Sequence, residues 1–216
     1  MSWFIQTCTS SLGKKYIMAI TGLMLGGFLV VHAAGNSSIF WGRAAFISYA
    51  EHLHALGILV SLAETGLLSI FLLHVVTGLS LFLQNNQARS SRYAVSTSAG
   101  GRTWGSRTMP YTGLAILCFI IVHLLNFHFT DHSRPIADIV GPILGSPVYT
   151  LFYGTAMLIL TLHISHGFWS LFQTLGLSHP GYDDFIRIMG WVIGGIIVLI
   201  FLTIILLLIV STNYLI

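Results

Sequence analysis

The sequence predicts an all-α integral membrane protein with five transmembrane helices, and its 216 residues read as one domain. Three observations lead there. Hydrophobic residues make up 55% of the chain and charged residues 7%, whereas a soluble domain carries about 25% charged residues. Five apolar segments reach the ~20 residues a helix needs to cross a bilayer. The stretches between them are too short and too apolar for a separate soluble domain.

The spans are expected near Tyr16–Gly35, Leu56–Leu83, Met109–Phe129, Val148–Leu175 and Phe185–Ser211. The second, fourth and fifth exceed the minimum, so they tilt or project beyond the lipid. The first follows Lys14 and Lys15, as a secretory leader would. Its apolar stretch is interrupted by glycines and is longer than most leader cores, so a retained helix is expected. Five spans put the termini on opposite sides. With the N-terminus inside, the inner segments hold Lys14, Lys15, Arg89, Arg92, Arg102, Arg107 and Arg187, against Arg43 and Arg134 outside. Positive charge favours the cytoplasmic side, so a cytoplasmic N-terminus and an outer C-terminus are expected. The inner connection Gln84–Thr108 is rich in Arg, Ser and Gly, and reads equally as a docking surface or a solvated connector.

Composition also excludes functions. The formal charge is only +3 and no basic run points to nucleic acid. Cys8 and Cys118 lie far apart, and neither CxxC nor CxxCH occurs, which argues against cysteine-bound zinc and covalent c-type haem. No Asp, Glu and His set falls at metal-ligand spacing in the loops.

The histidines carry the chemistry. His32, His74, His123 and His163 each fall inside a span, where an imidazole needs a partner. The plain alternative is a hydrogen bond between helices. A weak internal repeat bears on the choice. "TGLMLGGFLVVH" runs from Thr21 to His32 and "TGLAILCFIIVH" from Thr112 to His123, while "HVVTGL" starts at His74 and "HISHGF" at His163. Spans one and two therefore resemble spans three and four, and such doubling places sites between the units. By topology His32 and His123 lie in the outer half, and His74 and His163 in the inner half. At ~1.5 Å rise per residue the two layers differ in height by something on the order of 10 Å.

Two stacked histidine pairs in a four-helix bundle imply two b-type haems, each iron held by two imidazoles from facing helices. Gly22, Gly26, Gly27, Gly78, Gly113 and Gly167 remove side chains where a flat macrocycle presses on backbone, although small residues also serve close helix packing. Two haems at different depths form a wire across the bilayer. A lipid-soluble quinone suits one end and a soluble redox protein the other, because the chain carries no flavin or iron–sulfur motif.

Four motifs extend this reading: "GKKYIMAITGLMLGGFLVVHAAGN", "LLHVVTGLSLFLQNNQAR", "RTMPYTGLAILCFIIVHLLNF" and "LHISHGFWSLFQTLGL". Together they resemble, over nearly the whole chain, the five-helix, two-haem cytochrome b subunit of succinate dehydrogenases and fumarate reductases of the succinate:menaquinone type. The resemblance implies a bacterial inner-membrane anchor bound on its cytoplasmic face to a flavoprotein subunit and an iron–sulfur subunit. Dicarboxylate chemistry would lie in the flavoprotein, and this chain would exchange electrons with menaquinone. It implies His32 and His123 as ligands of the distal haem iron, and His74 and His163 as ligands of the proximal one. Some fumarate reductases of that family carry a glutamate two residues before the fourth ligand, on a proposed proton path. Thr161 stands there, and a hydroxyl cannot hold charge at neutral pH.

The remaining polar residues have several readings. Glu64, expected near mid-membrane on the second span, is a candidate for proton movement or quinone chemistry, with a helix–helix hydrogen bond as the alternative. His166 is expected beside the haem or on a propionate rather than as a ligand. Arg89 and Arg107 are propionate candidates, since arginine pairs well with carboxylates; topology control explains them equally. His52, His54, His128, His132, Trp41, Tyr49 and Glu51 fall near the outer interface, where a quinone pocket or simple interfacial anchoring accounts for them. His179 reads as an inner-loop residue. Asp183 and Asp184 read as stabilisers of the last helix N-terminus, and that helix as packing or lipid contact only. Two other functions compete: a cytochrome b subunit of another respiratory dehydrogenase or hydrogenase, and a non-haem transporter or scaffold.

Overall fold

The computed structural model describes residues 2–87, 104–131 and 133–210. All regular structure among them is helical. A short helix α1 (Trp3–Thr9) leads into α2 (Ser11–Asn36). Ser10 starts α2, its hydroxyl accepting the Gly13 N–H at 3.0 Å, the bond an N-cap supplies to a free helical N–H. The helix thus begins before Lys14 and Lys15, ahead of the apolar run. A 3-10 turn (Ser37–Trp41) ends at Gly42, whose φ of 97° needs glycine. The chain continues through α3 (Arg43–His54), α4 (Ile58–Gln87), α5 (Trp104–Phe127), α6 (Ile136–Leu144), α7 (Pro147–Thr174) and α8 (Asp183–Val210). Pro147 opens α7, where its missing N–H costs nothing.

Five helices are long and apolar enough to cross a membrane: Ser11–Trp41, Ile58–Gln87, Gly105–Phe127, Pro147–Thr174 and Asp183–Val210. They match the five expected spans to within a few residues. Their outer surfaces are aliphatic, with Leu23, Leu62, Leu114, Leu151 and Leu199 all exposed. Contiguous apolar surface of that kind needs lipid to cover it.

α2 packs on α4 and α7, and α5 packs on α7 and α4. The four close a ring in which α2 faces α5, and α4 faces α7, across the diagonals. α8 lies outside the ring against α7. Gly190 and Gly194 make that approach possible, since a Cβ at Gly190 would stand 2.8 Å from the Ser165 carbonyl oxygen and 3.3 Å from the Phe168 Cβ. At one end Asp183 ties the α7–α8 turn, accepting from Trp169 Nε1 (2.8 Å), Gln173 Nε2 (3.1 Å) and Arg187 Nε (2.9 Å). It therefore does more than stabilise its own helix. Lys14 Nζ joins α2 to α4 near the same end by donating to Ser80 Oγ at 2.9 Å.

The opposite end carries a cap that the sequence pattern did not reveal. Ile39 of the 3-10 turn, Phe46 of α3, and Ala137, Val140 and Leu144 of α6 form one buried cluster with Tyr153, Ile204, Ile205 and Leu208. Gly141, Pro142 and Gly145 make α6 read as a loop, but burial of its apolar side offsets their weak helix preference. Arg43 and Asp138 pin α3 to α6 at 2.8 Å. The guanidinium bonded to Asp138 holds its carboxyl below the usual carboxylate range, with the nearby Arg134 charge adding to the effect. These are called the turn end and the cap end below.

Candidate functional site

Two histidine pairs lie inside the ring, one toward each end. His74 of α4 and His163 of α7 have ring centroids 6.5 Å apart and planes at 70°. His32 of α2 and His123 of α5 are 5.9 Å apart at 84°. Each pair therefore spans one diagonal, so no single helix contact explains both. All four rings are half-buried. Eleven residues separate Thr21, level with His74, from His32. That is on the order of 16 Å of helix, a wider spacing than the sequence estimate of 10 Å.

In the turn-end pair both rings have hydroxyl partners. Thr21 Oγ1 lies 2.9 Å from His74 Nδ1, and Thr112 Oγ1 lies 3.1 Å from His163 Nδ1. Gly22 and Gly113 sit beside the same rings, where a Cβ would approach His74 Cε1 at 3.4 Å and His163 Cε1 at 3.5 Å. So the Thr-Gly step of each repeat touches a histidine of the neighbouring helix. In the cap-end pair the surroundings are aromatic. Phe28 stacks on His32 at 5.2 Å, and Phe201 of α8 stands 5.6 Å away. Phe119, Phe127 and Tyr153 surround His123 at 5.6, 5.2 and 6.2 Å. The last helix therefore does more than pack, because Phe201 lines the cap-end pair.

The donor set fits haem b. Among the described residues no group of three or more His, Cys, Asp or Glu could hold a metal ion by itself. Paired imidazoles suit a group that brings its own in-plane donors. Metal–imidazole bonds of ~2.0–2.1 Å set two imidazoles on one iron roughly 6 Å apart between centroids, close to both observed separations. His123 Nδ1 is buried with no hydrogen-bond partner. A Cβ at Gly26, Gly27 or Gly167 would meet nothing within 4 Å, so tight helix packing does not account for those glycines. Gly78 is different: its Cβ would face Met18 at 3.4 Å, an ordinary helix–helix contact.

His166, one turn of α7 beyond His163, lines a cleft of about 150 Å³ at the turn end with Gly105, Thr108, Trp169, Arg187 and Trp191. A Cβ at Gly105 would come within 2.6 Å of His166 Nδ1. Arg187 sits 4.1 Å over the Trp169 ring, a cation–π contact. Arg187 is thus the cation that shares the His166 cleft, while Arg107 is exposed on the first turns of α5. Arg89 and His132 lie outside the described residues.

Glu64 is not near mid-span. It falls six residues after the start of α4 at Ile58, at the cap end, because the chain turns at Gly57 (φ 55°) before the helix begins. Its Oε1 is 3.9 Å from His128 Nδ1, just past the end of α5. The other cap-end polar residues do not converge on this pair. The Tyr49 ring packs on Gly35. His52 and His54 donate to the Ser48 and Ala50 carbonyls of their own helix, at 2.7 and 2.8 Å. Thr161 donates to the Met157 carbonyl at 3.1 Å, and His179 Nδ1 accepts the Gly181 N–H at 3.0 Å in the α7–α8 turn.

Sequence reasoning missed Thr21, Thr112, Arg187, Tyr153 and Phe201. The threonines had a signal, since the repeat places one eleven residues before each cap-end histidine. The others had none.

These features define the class: an all-α, multi-pass integral membrane protein with two histidine pairs stacked across the diagonals of a helix bundle. No family model matches the chain, and no curated protein or solved structure matches it.

Proposed function

We propose that this chain is the membrane-anchor and electron-transfer subunit of a bacterial succinate:quinone oxidoreductase, carrying two haems b between an iron–sulfur subunit and menaquinone. The observation that carries the electron-transfer reading is the pair of bis-imidazole constellations, one on each bundle diagonal. The succinate part of the reading rests on the four motifs and their resemblance to that family. His74 and His163 would hold the haem nearer the soluble subunits, with the turn end on the cytoplasmic side. His32 and His123 would hold the other, beneath the cap. Bound haem would supply one-electron redox chemistry at each layer. The protein orients the imidazoles and walls the cap-end pair with aromatic rings that exclude water. At the turn end His166 and Arg187, whose Nε is already paired with Asp183 at 2.9 Å, are candidates to meet haem carboxylates. At the cap end Glu64 and His128, facing each other across α4 and α5, are candidates to hold and pass a proton as menaquinone is reduced or menaquinol oxidised. The flavoprotein subunit would do the dicarboxylate chemistry.

The test is a reduced-minus-oxidised spectrum and haem count on the protein purified with its soluble partners. Two b-type haems per chain are expected. His74→Ala or His163→Ala should leave one, and His32→Ala or His123→Ala should leave the other. A wild-type chain without haem overturns the proposal in favour of a transporter or scaffold. Two haems without succinate-dependent reduction would move it to another respiratory dehydrogenase.

A further inference from the structure

The two threonines at the turn end do more than fill space. Both are buried, and each contacts a histidine on another helix, 53 residues away for Thr21 and 51 for Thr112. A hydroxyl has one hydrogen and two lone pairs, while a backbone carbonyl only accepts. The Thr21 hydroxyl lies 2.6 Å from the Ile17 carbonyl oxygen, so its hydrogen goes there. What it turns toward His74 is a lone pair, and Nδ1 must be the donor. The Thr112 hydroxyl likewise donates to the Met109 or Thr108 carbonyl, at 3.1 and 3.2 Å, and faces His163 Nδ1 as an acceptor. A neutral imidazole carries one ring hydrogen. With it on Nδ1, the lone pair stays on Nε2.

We propose that Thr21 and Thr112 are positioning residues that lock His74 and His163 in the Nδ1–H tautomer, so that both Nε2 lone pairs would be free to hold one haem. This rests on the haem reading above. Threonines elsewhere in the bundle show the same backbone bond without the histidine. Thr203 donates to the Leu199 carbonyl at 2.8 Å and faces outward. The cap-end pair has no such lock. The Asn36 amide nitrogen donates to the His32 carbonyl at 2.8 Å and lies 3.4 Å from His32 Nδ1, so a donor rather than an acceptor faces that ring nitrogen. His123 Nδ1 has no partner. An acceptor on the far ring nitrogen orients a metal-bound histidine and raises its basicity. The turn-end haem should therefore be held more tightly, and its ferric state favoured, through hydroxyls the cap end lacks.

The experiment uses the complex purified with its soluble subunits, carrying Thr21→Val, Thr112→Val or both. Thr203→Val is the control. Haem release to excess apomyoglobin and the optical redox titration of each haem are measured, the turn-end haem being the one absent from His74→Ala. Either threonine variant should speed release of the turn-end haem by roughly 10- to 100-fold, the usual cost of losing such a partner. Its midpoint potential should rise, while the cap-end haem stays as in wild type. Thr→Ser should restore both values, and Thr203→Val should change neither. If Val disturbs the helix contact, Thr→Ala tests the same lost hydroxyl. Wild-type release and potential in the variants overturn the proposal, as does an equal change in both haems that Thr→Ser fails to reverse. A wild-type chain without haem overturns the reading beneath it, and the threonine role with it.

Discussion

The turn-end and cap-end histidine pairs come from a repeated helix pair, yet they are held by different forces. His74 and His163 are oriented by directional hydrogen bonds that their Nδ1 atoms donate to threonines on adjacent helices. His32 and His123 are held by the shapes of five aromatic rings. An acceptor on Nδ1 chooses between ring nitrogens, whereas an aromatic wall fixes only the ring plane; at the cap end a polar group does face His32 Nδ1, the Asn36 amide nitrogen at 3.4 Å, and it is a donor. The repeat accounts for the depth of each pair. The repeated helices themselves supply the two threonines and four of the five rings, and α8, outside the repeat, adds Phe201.

That contrast can be broken most strongly through α8. Gly190→Ala would push a methyl against the Ser165 carbonyl, which is rigid backbone two residues from His163. We expect a loss of about 1–3 kcal/mol from overpacking, read as a lower melting temperature in detergent. Under the haem reading proposed above, the turn-end haem should respond before the cap-end one. Gly195→Ala, on the same helix and with nothing within 4 Å of its Cβ, serves as the comparison because it introduces no such clash.

A smaller effect sharpens the cap-end side. Tyr153 packs against His123, and its hydroxyl accepts from Asn126 Nδ2 at 3.1 Å. Tyr153→Phe keeps the aromatic wall and removes that bond, a change of about 0.5–1.5 kcal/mol. Under the same haem reading, the cap-end haem spectrum should shift slightly while the turn-end spectrum does not move. Equal shifts in both would show that the layers are not independently held.

The smallest effect is expected in the cap itself, through pH. Arg43 holds Asp138 below the usual carboxylate range. A carboxyl depressed in the folded state contributes stability that is whole above its unfolded value, near 3.8, and is lost as pH falls through the lowered folded value. Melting temperature measured down an acid titration should therefore show a small loss there in wild type. Arg43→Gln should flatten that segment of the curve, with both histidine pairs unaffected above it.

Much of the bundle was legible in the chain. Thr21 to His32 and Thr112 to His123 repeat at one spacing, and alternating span direction sorts the histidines into two layers. The cap was not legible, because Gly141 and Pro142 disguise α6 and only burial against Ile204 and Leu208 makes it a helix. The height of Glu64 was legible and misjudged: it lies eight residues past the expected span start at Leu56 and six past the observed start at Ile58. Arg187 was counted for topology, and nothing in its neighbours along the chain indicated His166.

By itself, then, the sequence determined the five spans, their alternation and which half of the bundle each histidine occupies, because hydropathy and helical rise are local and accumulate residue by residue. Only the tertiary structure decided how closely and at what angle the paired histidines meet, that the bundle diagonals carry them, that Thr21 and Thr112 meet the rings at the turn end, and that α8 supplies Phe201 and Arg187. Those are contacts between residues tens of positions apart. They depend on which helix faces touch, and that is set by packing of small residues and side-chain shapes across the whole bundle.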